Sequence, residues 1–178
     1  MPILRYIPGR FDQKYQLKQK IQYLDDPCKR IWLGKPILKS LLFGGYGVDP
    51  NAAYESFIFF HMACGLSGTR LFYHLLLDFE PGLVDPLQVR EIGIEECRYL
   101  QRLGAMYVWG VHCTKRGAPH PHMHVVINSR LPLRGEKLQI KKRNIVAHKL
   151  WANQVLNRFG LPLIDMHVPD DWKEEDNG

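Results

Sequence analysis

The sequence lacks any apolar run long enough to cross a bilayer. The segment after Met1, "PILRYIPGRFDQK", also lacks the apolar core and the small-residue cleavage site of a secretory leader. Internal repeats and low-complexity stretches are missing as well, so nothing in the sequence indicates a repeat architecture. We therefore expect a cytoplasmic protein without membrane insertion.

Cysteine is scarce, with four residues in the chain, and no two of them form a CxxC pair. A chain of this length can build a core without disulfides, and in a reducing cytosol we expect Cys28, Cys64, Cys97 and Cys113 to be free thiols. Cys113 directly follows His112, so a soft metal ligand is an alternative there to a partly buried small residue.

The 178 residues suffice for one domain, and the 46% hydrophobic content is typical of a globular protein. We place this domain at residues 1–168. The remaining segment, "PDDWKEEDNG" at 169–178, is acidic, and we expect it to be a mobile tail. The formal charge of +6 is by itself only a weak indication of an anionic partner.

Hydrophobic periodicity and capping residues predict helices alternating with strands. We expect helices at 12–24, 51–64, 85–104 and 145–160. We expect strands at 4–9, 70–80, 106–113, 122–129 and 137–142, with Gly- or Pro-rich breaks at 44–50 and 65–68 and a loop at 114–121.

Two of these helices carry specific expectations for their ends and buried faces. Asp12 is the expected N-cap of the first. The helix at 85–104 is expected to begin at Asp85 and to end at Gly104. Its inward residues are expected to include Leu87, Ile92, Cys97 and Leu100 or Leu103.

The strands at 106–113 and 122–129 have the pattern of a hairpin. Antiparallel neighbours joined by a loop favour an α+β fold over a doubly wound parallel sheet. We therefore expect a central antiparallel β-sheet with flanking helices.

Half of the eight histidines gather in "HCTKRGAPHPHMHVVIN", residues 112–128. Because side chains alternate between the faces of a strand, His122 and His124 point to one side, followed there by Val126 and Asn128. The alternate residues Met123, Val125 and Ile127 face the core. If the two strands pair, His112 can face the same side.

Three imidazoles from adjacent strands would form a metal site with open positions, which is typical of a catalytic ion. Zinc, manganese, nickel, cobalt and magnesium are the candidate ions, and surface histidines without a metal are the alternative. His120 shares the face of His122 but lies between two prolines, so we expect a loop or substrate contact there rather than ligation.

The segment from His112 through His122-Met123-His124 to Asn128 resembles the third motif of conjugative relaxases, the mobilization nucleases of the HUH endonuclease superfamily. The strand and helix at 73–101 are similar to the family's strand, acidic-proline turn and helix. The segment "QKIQYLDDPCK" at 19–29 is similar to its first motif, in which a helix presents the nucleophilic tyrosine ahead of a lysine.

The basic segment "GEKLQIKKR", followed by a helix, is also similar to the family, and the resemblance spans roughly residues 4–165. It implies an HUH-nuclease-like two-layer or sandwich domain. It also implies metal-dependent, strand-specific DNA nicking at a plasmid or integrative-element transfer origin, through a covalent 5′-phosphotyrosine intermediate and with strand rejoining. Single-stranded DNA is then the partner, and accessory mobilization proteins are further candidates.

By motif position, the resemblance implies Tyr23 as the nucleophile, with Tyr15, two turns earlier on the same helix, as the reserve candidate. The three histidines would hold Mg²⁺ or Mn²⁺. Asp78 and His120 are candidates for an assisting role. His74 shares the strand face of Asp78, so either of the two can lie near the site; an interior histidine is the preferred interpretation of His74.

Positive charge is concentrated in "KLQIKKRNIVAHK", where a basic stripe interleaved with apolar residues fits contact with phosphates. A solvated helix face is the alternative. The candidate DNA-binding residues are Lys115, Arg116, Lys137, Lys141, Lys142 and Arg143.

Three other functions are compatible with these residues. A rolling-circle replication initiator or an HUH transposase would use the same metal and tyrosine chemistry at a different target. A non-catalytic single-stranded DNA-binding module would keep only a residual metal site. An unrelated three-histidine metalloenzyme would act on a small molecule without DNA.

Overall fold

The computed structural model describes residues 1–9, 11–65 and 70–168. The acidic tail expected at 169–178, and residues 66–68 of the expected break, lie outside these ranges. The helices in the described ranges are α1 (Lys14–Leu24), α2 (Lys39–Leu42), α3 (Ala53–Ala63), α4 (Pro86–Arg102) and α5 (Lys142–Arg158). The strands are β1 (Ile3–Tyr6), β2 (Ile31–Trp32), β3 (Lys35–Pro36), β4 (Phe43–Tyr46), β5 (Phe72–Asp78), β6 (Tyr107–Lys115) and β7 (Ala118–Asn128).

A five-stranded sheet in the order β1-β5-β7-β6-β4 forms the centre of the fold, and each neighbouring pair is antiparallel. Strands β2 and β3 form a separate small hairpin. The expectation of an α+β fold with a central antiparallel sheet and flanking helices is confirmed.

Each face of the sheet is covered by its own pair of long helices. On one face, apolar residues of β5, β6 and β7 pack against α4 and α5. On the other face, α1 and α3 pack over a smaller cluster that includes Phe57, Phe72 and Val126. Because alternate residues of β7 face opposite layers, the histidine face is the one that α1 and α3 cover.

The ends of two helices follow from local chemistry. Asp85 caps α4, since its Oδ1 accepts hydrogen bonds from the backbone N–H groups of Leu87 and Gln88, at 2.8 and 2.9 Å. However, the expectation that Leu87 is buried is wrong, because it lies outside the buried face formed by Pro86, Val89 and Ile92 and is 45% exposed. The N-cap of α1 is Gln13 rather than Asp12, and its backbone N–H donates to the Gln16 side chain at 3.2 Å.

The segment at 114–121 is extended, so the loop expected there is wrong. Strand β6 runs to Lys115 and β7 begins at Ala118, which leaves only Arg116 and Gly117 between them. These two residues have positive φ angles of 51° and 82°. A two-residue turn with both φ angles positive matches the twist of the strands it joins. His120 therefore lies within a strand.

Two other expectations about strands also need correction. The strand expected at 137–142 is a single bridge between Arg130 and Lys137, after which α5 begins at Lys142. The Gly-rich break at 44–50 contains most of β4, which pairs with β6 from Phe43 to Tyr46. Glycine is needed at position 44 of this strand, because a Cβ would lie 2.5 Å from the Trp109 side chain.

No helix among residues 1–9, 11–65 and 70–168 is long and apolar enough to span a bilayer. The four cysteines are free thiols. Cys113 is fully buried in the cluster beneath α4 and α5, on the face opposite the histidines. The alternative in which Cys113 acts as a metal ligand beside His112 is therefore wrong.

Candidate metal centre and nucleophile

The central hairpin brings three histidines together. His112 of β6 is the cross-strand partner of His122 of β7, and His124 follows on the same face. Their ring centroids lie 5.0–5.4 Å apart, and one ligand nitrogen from each lies within 4.8 Å of the other two. All three side chains are buried. The cross-strand register thus brings together three histidines on one face of the sheet. The alternation of side chains along the two strands predicts this cluster.

One nitrogen of each imidazole is already engaged in a hydrogen bond. The ring of His112 donates from Nε2 to the backbone oxygen of Tyr23 at 2.9 Å, and His122 donates from Nδ1 to the backbone oxygen of His120 at 2.7 Å. Nδ1 of His124 lies 2.9 Å from Nε2 of His74. Such outer hydrogen bonds fix the tautomer and orientation of metal-binding histidines.

The remaining nitrogens fit a cation. Nδ1 of His112 and Nε2 of His124 are buried and have no hydrogen-bond partner within the described part of the chain. For His122, the bond from Nδ1 leaves Nε2 as the ring nitrogen available to a ligand. Buried nitrogens without a partner are energetically costly, and a divalent metal held by imidazole would satisfy them.

Burial keeps these imidazoles neutral. It lowers the pKa of His112 to about 4 and that of His74 to about 3. The pKa of His124 is also far below its ordinary value, because burial and the neighbouring histidines disfavour its charged form. Burial lowers the pKa of His122 in the same direction. Neutral rings have free lone pairs at pH 7, as a metal ligand requires.

Tyr23 lies at the mouth of this cluster, in the last turn of α1. Its ring centroid is 4.6 Å from that of His112 and 5.2 Å from that of His124, and its side chain remains 38% exposed. Partial burial and the nearby Asp26 raise the pKa of the phenol, so its oxygen is protonated at neutral pH. The phenol is thus close to the cluster and accessible to a substrate.

The close approach of α1 to the sheet depends on Gly110 of β6. A Cβ at this position would lie 2.3 Å from the backbone oxygen of Leu24. Any larger residue would push away the end of the helix that carries Tyr23. By contrast, Tyr15 is 60% exposed, and the described ranges show no ring contact between it and the histidines.

Asp78 and His120 form a network next to the three histidines. Asp78 is the cross-strand partner of His122 on β5. Its carboxylate lies 2.5 Å from Nε2 of His120 and 3.0 Å from Nζ of Lys115. Burial raises the pKa of Asp78, but the bonds from Lys115 and His120 outweigh it, so the net shift is downward. The ring of His120 thus bonds Asp78, while its backbone oxygen orients His122.

The candidate DNA-binding residues divide into two groups. Lys115 and Arg116 lie at the hairpin tip near the histidines, where Lys115 is paired with Asp78. The group at 137–143 lies beyond the other end of β7, since the N–H of Leu138 bonds the Ser129 oxygen. The buried neighbours Leu138 and Ile140 pack with the α4 and α5 layer. The two groups of candidate DNA-binding residues therefore lie at opposite ends of β7.

Two residues near the cluster are not among the site residues predicted from the sequence. His74 is buried, as its preferred interpretation predicts, and it also contacts His124 directly, which agrees with the alternative of a place near the site. Lys20 was not considered, although its Nζ lies 5.7 Å from the Tyr23 ring centroid. The spacing of three residues between Lys20 and Tyr23 on a helix is the signal that could have identified it.

The sheet, its His122-Met123-His124 pair and the third histidine on the adjacent strand are those of a nuclease of the HUH type. A comparison with family models agrees, because the model described as "Relaxase: MobA/VirD2-like, nuclease domain" matches residues 32–161. The chain belongs to this relaxase family, whose members nick DNA. Among curated proteins, no match was found. The matched segment includes the three histidines and Asp78, whereas Tyr23 precedes it.

Proposed function

We propose that this relaxase nicks one strand of DNA at the transfer origin of a plasmid or integrative element, with Tyr23 as the nucleophile, and later rejoins the strand. The observation that carries the proposal is the contact of the Tyr23 ring with His112 and His124, at 4.6 and 5.2 Å. A nucleophile must lie beside the group that neutralises the phosphate, and this contact meets that requirement.

The three histidines are the proposed ligands of Mg²⁺ or Mn²⁺. This assignment is supported by the buried nitrogens of His112 and His124, which have no hydrogen-bond partner among the described residues, and by the lowered pKa of all three rings. When bound, a divalent cation supplies charge neutralisation to the phosphate oxygens and polarises phosphorus. The residues of the chain contribute orientation, since Tyr23, His120 and His74 each hold one imidazole through its second nitrogen.

The proposed reaction is a transesterification. The phenol oxygen of Tyr23 forms a bond to phosphorus, and the bond from phosphorus to the 3′ oxygen breaks. The phenol proton is lost, the departing oxygen gains one, and a free 3′-OH results. The other DNA segment stays joined to Tyr23 through its 5′ phosphate. Because one phosphodiester replaces another, the reverse attack by the 3′-OH can rejoin the strand.

Trapping the covalent intermediate tests this proposal. The protein is incubated with a pool of random single-stranded oligonucleotides labelled at the 3′ end, with Mn²⁺ or Mg²⁺, and then separated under denaturing conditions. The label should migrate with the protein, because the 3′ segment is the one retained. Chelation and Tyr23→Phe should both abolish the band. Tyr15→Phe is the matched control on the same helix and should retain it.

Each other result would change the assignment. A band kept in Tyr23→Phe and lost in Tyr15→Phe would transfer the role of nucleophile to Tyr15. DNA binding without a band in the wild-type protein, unaffected by Tyr23→Phe and by chelation, would indicate a non-catalytic binding module. Sequencing the trapped strand would identify the target, which separates a transfer origin from a replication origin or a transposon end.

A further inference from the structure

Lys20 lies at the same opening as Tyr23 and His124. It precedes Tyr23 by three residues on α1, so the two side chains share one face of the helix. Its Nζ lies 5.7 Å from the Tyr23 ring centroid, within the range of a cation–π contact. The Tyr23 ring is in turn 5.2 Å from the ring of His124, so the ammonium group contacts the aromatic ring that borders the histidine cluster.

The side chain of Lys20 is held at the rim of the site by its contact with the Tyr23 ring. Lys20 is partly buried, which agrees with a position at the rim of the cluster.

Lys20 has no acidic partner among the residues that the structure describes. Arg30 and Lys39, near the end of α1, share the carboxylate of Asp25. The carboxylate of Asp78, the cross-strand partner of His122, is engaged by Lys115 and His120. The ammonium group of Lys20 is therefore available to bind an anion from outside the chain.

We propose that Lys20 binds a non-bridging oxygen of the scissile phosphate and is a catalytic residue of the nicking reaction. This inference rests on the proposed function for its catalytic part. As the phenol oxygen bonds to phosphorus, negative charge on the phosphate oxygens persists through the transition state, and a fixed ammonium stabilises it. Lys20 transfers no proton in this role, so its contribution is electrostatic.

Lys18 provides a matched control. It lies on the same helix and makes a similar contact, 5.9 Å from Nζ to a ring centroid, but to Tyr54 rather than Tyr23. Two measurements compare Lys20→Ala, Lys20→Arg and Lys18→Ala. The first is the single-turnover rate of adduct formation at saturating DNA. The second is the salt dependence of single-stranded DNA binding in EDTA, which requires no chemistry.

Lys20→Ala should lower the single-turnover rate by about 100-fold, as when one charge-stabilising donor is removed. It should also reduce the salt slope by about 0.7, the value for one contact to a single-strand phosphate. Lys20→Arg should restore most of the rate, because it keeps the charge. Lys18→Ala should retain the wild-type rate.

The inference is overturned if Lys20→Ala nicks at the wild-type rate, if its salt slope is unchanged, or if Lys18→Ala loses as much activity. Failure of the proposed function looks different, because no adduct would then form in the wild-type protein. In that case a reduced salt slope in Lys20→Ala would still support phosphate binding by Lys20, without a catalytic role. Circular dichroism of each variant identifies any loss of folding.

Discussion

Replacing Gly110 with alanine tests how closely α1 must approach the sheet for catalysis. The added Cβ would lie 2.3 Å from the oxygen, 2.9 Å from the carbonyl carbon and 3.1 Å from the Cα of Leu24. All three are backbone atoms, so no side chain can rotate away to relieve the clash. The end of α1, with Tyr23 next to Leu24, must move instead.

The size of this movement follows from the contact distances. Ordinary van der Waals contact begins at 3.4 Å, so the Leu24 oxygen must retreat by about 1 Å. A displacement of about 1 Å at a reacting group can cost about 100-fold in rate. The strain of an added methyl group in a tight contact costs about 1–3 kcal/mol in the free energy of unfolding. Gly110→Ala should therefore fold but nick slowly.

The assay is single-turnover adduct formation at saturating metal, well below the melting temperature, together with chemical denaturation. Gly44→Ala is the control, because its Cβ would meet the Trp109 side chain at 2.5 Å. That clash does not involve α1, so Gly44→Ala should lose stability yet keep its rate. A Gly110→Ala variant that is destabilised but forms adduct at the wild-type rate would refute the reasoning.

Two further predictions follow from the site. Replacing His74 with alanine removes the partner of Nδ1 of His124, so Mn²⁺ affinity measured by calorimetry should fall by about 10- to 100-fold. His61→Ala is the control, because this buried histidine bonds Leu71 and Asn128 instead, and an equal loss of affinity in both variants would contradict the role of His74. Lys141→Ala should reduce the salt slope of DNA binding by about 0.7 without slowing adduct formation at saturating DNA, because the residue lies beyond the far end of β7. A slowed chemical step would show that this segment reaches the scissile phosphate.

The sequence was sufficient to predict the central hairpin and its histidine face. The two-residue period of a strand determines which side chains share a face, and this holds wherever the strand lies in the sheet. The spacing of His122 and His124 is thus enough to predict that their side chains share a face. Likewise, Asp85 and Gly104 marked the ends of α4, because capping depends on neighbouring residues only.

The start of β7 could not be predicted in this way, because Pro119 and Pro121 are typical of a loop. In the structure, β5 pairs with β7 only from Asp78 and His122 onward. The first residues of β7 therefore pair with β6 alone and have one open side. Proline is tolerated at such an edge because its missing N–H removes no hydrogen bond of the sheet.

Contacts between distant segments could also not be predicted from the sequence. The approach of Leu24 to Gly110 joins segments 86 positions apart, and nothing local to either residue indicates it. DNA contact by the basic group at 137–143 is predicted from its composition and from its resemblance to the family. Composition does not reveal that this segment turns past the end of β7 into the layer of α4 and α5.

The hydrogen bond from His112 to Tyr23 ends on the main-chain carbonyl of the tyrosine, not on its phenol. In the reaction proposed above, esterification of the phenol would leave that backbone acceptor unchanged. The imidazole of His112 would then keep the same tautomer in the free protein and in the proposed covalent adduct. The proposed rejoining step would therefore take place in the same histidine arrangement as the proposed nicking step.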